Sequence, residues 1–347
     1  MSPFTVVLIV PTGVGAAIGG YAGDALPVAR AVAQVSDRLI THPNVLNGAQ
    51  LYWPLPNTLY VEGYGLDRFA AQDWSLRPVR QNKVGLLLDA GIEPELRLRH
   101  LQAADAARAT LGLNLTDYII TDAPLAVELR TANSGASWGT IGNPGSLLRA
   151  AERLIQQGGA EAIAVVARFP DDDSSEALQN YRHGSGVDHL AGAEAVISHL
   201  IVRHFQIPAA HAPALLPLAV DPEVSPRAAA EELGYTFLPC VLVGLSRAPR
   251  YVPYSSTSKD TINADAVDAV IVPYSACGGS AILSLANLAE IITVTDNTTA
   301  IQVPPEPLGI KTTKVNSYLE ALGILVARRA GIDDRALNPS ITPLRSL

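Results

Sequence analysis

Asp268-Ala-Val-Ile-Val-Pro273-Tyr-Ser275-Ala-Cys277-Gly278-Gly279-Ser280 reads as a buried β-branched strand stopped by a proline, a glycine-bearing loop, and the opening of a helix. An apolar helical run follows from about Ala281, and Ile291-Ile-Thr-Val-Thr-Asp296-Asn297-Thr298-Thr299 is a second strand with a polar tip. The chain begins in the same way. Thr5-Val-Val-Leu-Ile-Val-Pro11 is a strand closed by proline, Thr12-Gly13-Val-Gly15-Ala-Ala-Ile-Gly-Gly20 a glycine loop, and Asp24 to Val35 a helix. Strand, loop, helix and strand in this order predict an α/β fold. Its mostly parallel sheets would carry helices on both faces in Rossmann-like layers.

At 347 residues the chain exceeds the usual single core, so one functional unit with two lobes related by the pseudo-repeat is expected. The division falls at the Gly158-Gly159 helix stop: an N-terminal lobe over 1–158, with an aromatic-rich segment at 51–74, and a C-terminal lobe over 159–347. Hydrophobic residues at 48% and charged residues at 17% supply enough apolar surface to exclude disorder. With 25 Lys+Arg against 33 Asp+Glu, the net charge of −8 argues against nucleic acid or an anionic membrane as partner. A positive mean hydropathy predicts apolar surface buried between subunits, hence a homo-oligomer.

Two cysteines, Cys240 and Cys277, neither make a disulfide framework nor match a zinc spacing, and a cytoplasmic location is expected. The first basic residue is Arg30, and Pro11 and Gly13 break the first apolar run. That run reads as a core strand rather than a signal peptide, and no uninterrupted run is long enough to span a membrane.

Further strands are expected at Asp37 to Thr41, ending in His42, at Lys83 to Asp89, at Asp117 to Asp122, at Ala160 to Phe169, and at Cys240 to Leu245. Helices are expected over Glu93 to Leu111, Ser146 to Gln157, Glu194 through His204, Val224 to Leu233, and Asn316 to Arg329. Tyr52, Trp53, Tyr60, Tyr64, Phe69 and Trp74 form the aromatic segment. Pro54 and Pro56 interrupt regular structure there, so it reads as a long loop that packs on the core, lines a pocket or docks a subunit. Asn133 to Gly145 reads as a second glycine-rich loop, and Asp171 to Glu176 as an acidic surface turn without calcium-loop spacing.

The Ser275 to Ser280 loop stands where a helix begins, so its N–H groups and the helix dipole would hold an anion, with Gly278, Gly279 and Ser280 supplying the backbone. The same position would lower the Cys277 thiol pKa and make it a nucleophile or acid/base; the alternative is a small, inert buried cysteine. The glycine loop Thr12, Gly13, Gly15 is a second candidate for carboxylate or phosphate. Ile18 stands where a dinucleotide fingerprint needs its third glycine, and no acidic residue ends the next strand, so a nucleotide is not implied. Arg247 and Arg250, flanking Pro249 at a strand end, are candidates for gripping an anionic substrate. Asn297 would touch a ligand if its strand tip lies beside the Ser275 loop.

Five of seven histidines fall between His183 and His211. Asp188, His189, Glu194 and His211 would serve acid/base chemistry, with a carboxylate orienting an imidazole. A divalent metal in this region stays open, although His199 and His204, about 140° apart on a helix, cannot chelate from one face. No cofactor is firmly implied.

Five motifs in order resemble the bacterial family of domain of unknown function 3326. They are Val10-Pro-Thr-Gly-Val-Gly15, His183-Gly-Ser-Gly-Val-Asp188 continuing through Glu194 to His199, Ala210-His-Ala-Pro213, Gly244-Leu-Ser-Arg247-Ala-Pro249 and Ser275-Ala-Cys-Gly-Gly279. The resemblance covers nearly the whole chain. It implies one intact functional unit and carries over no catalytic residue.

The residues point to an enzyme acting on a small polar, anionic metabolite by acid/base or covalent chemistry, of hydrolase, lyase or isomerase type. Ser275 and Cys277 would form the reacting centre. A non-catalytic metabolite-binding or regulatory protein and a metal-dependent hydrolase centred on His183 to His211 are the alternatives.

Overall fold

A computed structural model describes residues 2–20, 24–46, 53–171, 176–233, 237–255 and 260–344. In chain order the first segment carries β1 (Thr5–Leu8), α1 (Leu26–Val35), β2 (Arg38–Thr41), α2 (Pro43–Leu46), β3 (Thr58–Tyr60), α3 (Gly63–Ala70) and β4 (Trp74–Arg77). The middle of the chain carries β5 (Val84–Leu88), α4 (Pro94–Leu111), β6 (Leu115–Ile120), β7 (Val127–Thr131), β8 (Ser137–Ile141), α5 (Pro144–Gln156) and β9 (Ala162–Arg168). It continues through α6 (Glu176–Arg182), α7 (Ala191–Phe205), β10 (Ala209–Ala214), α8 (Pro226–Leu233) and α9 (Leu238–Ser246). The last segment holds β11 (Arg250–Pro253), β12 (Ala269–Pro273), α10 (Ser280–Leu285), β13 (Glu290–Val294), β14 (Thr312–Val315) and α11 (Tyr318–Arg329).

Six parallel strands form one sheet in the order β14-β13-β12-β1-β2-β3, and four form a second in the order β10-β9-β5-β6. The expected α/β fold with two parallel sheets is therefore present. The two glycine-bearing stretches, far apart in sequence, are central neighbours: Val6 pairs with Ala269 and Leu8 with Ile271. Thr5 and Asp268 lock the start of this pair, the Asp268 carboxylate accepting from Thr5 N–H at 2.7 Å.

Strand side chains alternate between two cores, as the period of 2 requires. Val7, Ile9, Val270 and Val272 pack on α3 and α10 through Leu66, Phe69, Ile282 and Leu285. Val6, Leu8 and Ile271 face α1 and α11. The second sheet buries Leu87, Ile163 and Val165 against α5 and α7.

The chain does not divide at residue 158. The six-stranded sheet takes its strands from residues 5–60 and 269–315, and the four-stranded sheet is inserted between them at residues 84–214. A linear sequence cannot reveal this, because strand pairing rather than composition decides membership. The pseudo-repeat accordingly builds two halves of one sheet rather than two lobes.

Local expectations fail where periodicity is ambiguous. Cys240 to Leu245 is helix α9 rather than a strand, since a continuous apolar run fits either buried element. Its residues Leu238, Val241, Leu242 and Leu245 join the core shared by both sheets, and Asn82 Nδ2 donates to Leu245 O and Ala248 O at its end. The aromatic segment contains β3 and α3 despite Pro54 and Pro56. Within it Tyr60 and Phe69 are buried, and Trp74 stacks on Tyr251 with centroids 5.1 Å apart. Tyr52 of that segment and residues 172–175 of the acidic turn lie outside the described residues. Asn133 to Gly145 is not one loop: it holds the turn of the antiparallel hairpin β7-β8, strand β8 itself and the start of α5. Unanticipated is β10, tolerated with Pro213 because it is an edge strand.

Candidate functional site

A cavity of about 280 Å³ opens where the C-terminal ends of β1, β2 and β3 face α7 and β10. Parallel sheets place ligand groups at these ends. Thr12 follows β1, His42 follows β2, Glu62 follows β3, and His211 stands on β10. From α7 and the loop before it come Asp188, His189, Glu194, Ser198 and His199.

Each side chain has a structural reason for its place. Glu62 caps α3, its Oε2 accepting from Tyr64 N at 2.8 Å and Gly65 N at 3.2 Å. Its other oxygen lies 2.9 Å from His199 Nε2. Burial alone would lower the His199 pKa, but the Glu62 and Asp67 carboxylates more than reverse this and raise it. Glu194 and Ser198, four residues apart and so on one face of α7, both reach His211. Glu194 Oε2 stands 3.5 Å from His211 Nε2, and Ser198 Oγ lies 3.2 Å from Nδ1. Asp188 Oδ1 accepts from Leu190 N at 2.8 Å just before α7 begins. Burial, reinforced by the nearby Glu194 charge, raises the Asp188 pKa to about 7. Two carboxylates and an imidazole thus converge, one carboxyl ready to hold a proton near neutral pH.

His42 has a different role. Its Nε2 accepts from Val10 N–H at 3.1 Å, which fixes the neutral tautomer with the proton on Nδ1, and burial lowers its pKa to about 4. It is a fixed neutral imidazole. Thr12 lines the same cavity, with Oγ1 donating to Asn44 Oδ1 at 3.4 Å.

Gly13 and Gly15 do not line it. Both have positive φ, +69° and +61°, and both admit close chain approach. A Cβ on Gly13 would meet Ser137 Oγ at 2.7 Å, and one on Gly15 would meet Val187 Cγ2 at 2.8 Å. These glycines seat the loop against the hairpin and the 183–192 segment rather than against an anion. Asn297 is likewise structural, accepting from Ile18 N and donating to Ile18 O and Tyr318 Oη at 2.7–2.9 Å.

The Ser275 to Ser280 loop lies outside the cavity, and its geometry corrects the expected reacting centre. Cys277 is 0% exposed, and burial, aided by Glu306, raises its thiol pKa to about 11. The thiol is held protonated, opposite to the activated thiolate expected. The loop's anion is already internal: Asp67 Oδ1 accepts from Ala281 N at 2.9 Å at the start of α10. Cys277 N donates to Val303 O, and a Cβ on Gly278 would strike Val303 Cγ1 at 2.8 Å. Gly279 caps α10, Ser280 opens it, and Ser275 Oγ sits 2.8 Å from Thr299 Oγ1. The 296–299 tip does lie beside this loop, but Asn297 is occupied by Ile18 and Tyr318.

The arginines also lie elsewhere. Arg247 follows α9, and Arg250 begins β11, where it pairs with Glu161. The cavity's guanidinium is that of Arg182, buried and tied to Glu232 at 2.7 Å and to Ala219 O at 2.8 Å. His183 pairs with Asp221 at 3.0 Å, and His204 packs on Phe205. Among the described residues no group of three or more His, Cys, Asp or Glu side chains is placed to hold a metal ion.

Glu62 and Ser198 are not candidates from sequence, and His199 figures there only as a metal ligand that cannot pair with His204. Glu62 carries a usable signal, a carboxylate just past the short strand Thr58–Tyr60 and immediately before Gly63-Tyr-Gly65, the position of a helix cap. The two prolines upstream obscured it.

Fold and cavity together define an α/β protein with a pocket of small-molecule size where carboxylates and imidazoles converge. The chain belongs to the family described as "Protein of unknown function (DUF3326)", whose model matches residues 5–338. It is 62% identical over 336 residues to a Synechococcus sp. protein named "Uncharacterized lipoprotein", covering 96% of this chain and 93% of that one. No solved structure matches the chain. The relative's name conflicts with the cytoplasmic location expected from sequence, and that expectation is withdrawn. Its basis was two cysteines without a disulfide framework, and sparse cysteine does not report a compartment. No helix among the described residues is long and apolar enough to cross a membrane.

Proposed function

We propose that the protein is an enzyme performing acid/base chemistry on a small polar metabolite in this cavity, of hydrolase, lyase or isomerase type. The supporting observation is the convergence of Asp188, Glu194 and His211 from one helix, its preceding loop and one strand on a cavity of about 280 Å³. A carboxyl that binds its proton near neutral pH supplies an acid and, once deprotonated, a base. His211 is positioned by Ser198 on one nitrogen and by Glu194 on the other, so its orientation is preset. Ser198 is the positioning residue of the group. It sits within α7 rather than at a strand-to-helix elbow, which favours holding the imidazole over attacking a substrate.

The reacting group thus moves from Cys277 to the α7 and β10 cluster. The expected grip on an anion loses its support as well, because Arg247 and Arg250 are outside the cavity and Arg182 is neutralised by Glu232.

The test is a turnover screen of pooled small polar metabolites with wild type, Glu194→Gln, His211→Asn and Cys277→Ala. Turnover that survives Cys277→Ala and falls at least 100-fold in Glu194→Gln and His211→Asn is expected, the size of a lost acid/base group. Turnover abolished by Cys277→Ala but kept by Glu194→Gln refutes the assignment. Binding of a pool component without any turnover favours the regulatory alternative.

A further inference from the structure

The cavity wall has two chemically distinct parts contributed by different elements. The strand ends and α7 bring Glu62, Asp188, Glu194, His199 and His211. The helices α6 and α8 and the segments beside them bring Leu178, Tyr181, Leu215, Leu218, Ala228 and Phe237. Tyr181 and Ala228 pack together as a small core of their own, and Tyr181 Oη donates to Gly20 O at 2.9 Å. Arg227 reaches Asp24 at 3.0 Å. The apolar part is thereby fastened across to the glycine loop of the six-stranded sheet.

Charge is uneven between the two parts. On the apolar side Arg182 and Glu232 form a pair and cancel. On the polar side Glu62 pairs with His199 and Glu194 stands beside His211, while Asp188 accepts from the Leu190 N–H; among the described residues the one Lys or Arg lining the cavity is Arg182, already paired with Glu232. Half-buried carboxylates without a full cationic partner carry a desolvation cost, and a ligand that brings a positive charge with N–H donors offsets it. At about 280 Å³ the cavity lies at the small end of the roughly 300–1,000 Å³ range of small-molecule sites, which favours a small ligand.

Resting on the acid/base reading of this cavity, we infer that its ligand is a small amphiphilic amine. Its ammonium head would lie against Asp188 and Glu194, and its apolar body of about six carbons along Leu178, Leu215 and Phe237. The head donates to carboxylate oxygens, and the body removes apolar wall from water. An amine next to a carboxyl that binds its proton near neutral pH is also next to the group that would move a proton to or from it.

Calorimetric titration of n-hexylamine, n-ethylamine, n-hexanol and hexanoate into the full chain tests this. Hexylamine is expected to bind at least tenfold more tightly than hexanol, and hexanoate to bind more weakly than both. Ethylamine should bind at least tenfold more weakly than hexylamine, because each methylene withdrawn from water contributes to affinity. Glu194→Gln should weaken hexylamine at least tenfold and leave hexanol unchanged. Hexanoate binding as tightly as hexylamine, equal affinities for the two amines, or no hexylamine binding at millimolar concentration each overturns the inference. The pH signature of Asp188, measured on the unliganded protein, separates the two levels: its persistence without amine binding removes the ligand class and leaves the acid/base reading standing.

Discussion

Replacing Asp188 by Asn removes one titrating group while keeping an oxygen that accepts from Leu190 N–H. In the folded protein burial and Glu194 hold this carboxyl at a pKa of about 7, against about 4 in an unfolded chain. The folded state therefore binds the proton more tightly. The stabilisation from that proton is complete below about pH 4, declines as pH rises, and is gone above about pH 7. A gap of about three pH units at about 1.4 kcal/mol each sets a ceiling of about 4 kcal/mol. Asp188 is only partly covered where it faces the cavity, and water there screens the charge, so roughly 2 kcal/mol is expected. Urea unfolding of wild type and Asp188→Asn at several pH values from 4.5 to 8 gives the difference directly. The stability of wild type relative to the variant should fall by roughly 2 kcal/mol across that range, other titrating groups cancelling in the subtraction. Parallel curves would mean that Asp188 ionises as an ordinary surface carboxylate, and the acid/base reading would lose its central residue.

Cys240 and Cys277 are buried and form no disulfide, so neither should react with a disulfide reagent in the folded protein at pH 8 and both should react after denaturation; rapid labelling of Cys277 in the native state would contradict its burial. Asn297→Ala strands Ile18 N and O and the Tyr318 hydroxyl, and should cost roughly 3 kcal/mol in denaturant unfolding without altering the Asp188 pH signature. Gly15→Ala meets both a left-handed φ of +61° and Val187 Cγ2 at 2.8 Å, and a drop of about 2 kcal/mol is expected by the same assay; an unchanged midpoint would show that the loop does not seat against residues 186–187 as described.

What could be read in the sequence was local. Val6 to Val10 and Ala269 to Pro273 announce themselves as β-branched runs closed by proline, and Gly112 and Gly158 mark the ends of α4 and α5 because helices stop where glycine is cheapest. Asp188, His189, Glu194 and His211 do gather at one cavity, since a loop, the first turns of a helix and the next strand are adjacent in the chain as well as in space. The rest depended on pairing that no local pattern encodes. Glu62 enters the site because β3 lies beside β2, and Cys277 leaves it because β12 lies on the other side of β1, where Asp67 already occupies the start of α10. Gly13 and Gly15 satisfied the expectation of a close backbone approach, but a neighbouring segment of the same chain does the approaching.

The pairing of β1 with β12 also constrains how the protein is made. Residues 5–8 leave the ribosome long before residues 269–273, and the whole four-stranded sheet is synthesised in between. At about 5–20 residues per second that interval is roughly ten seconds to a minute, during which the Val6 to Leu8 edge has no parallel neighbour on that side. An apolar strand edge left open for so long invites pairing with other nascent chains. The inserted sheet can fold during this interval from its own contiguous segment, so the six-stranded sheet closes last, by recruiting β12 to β1.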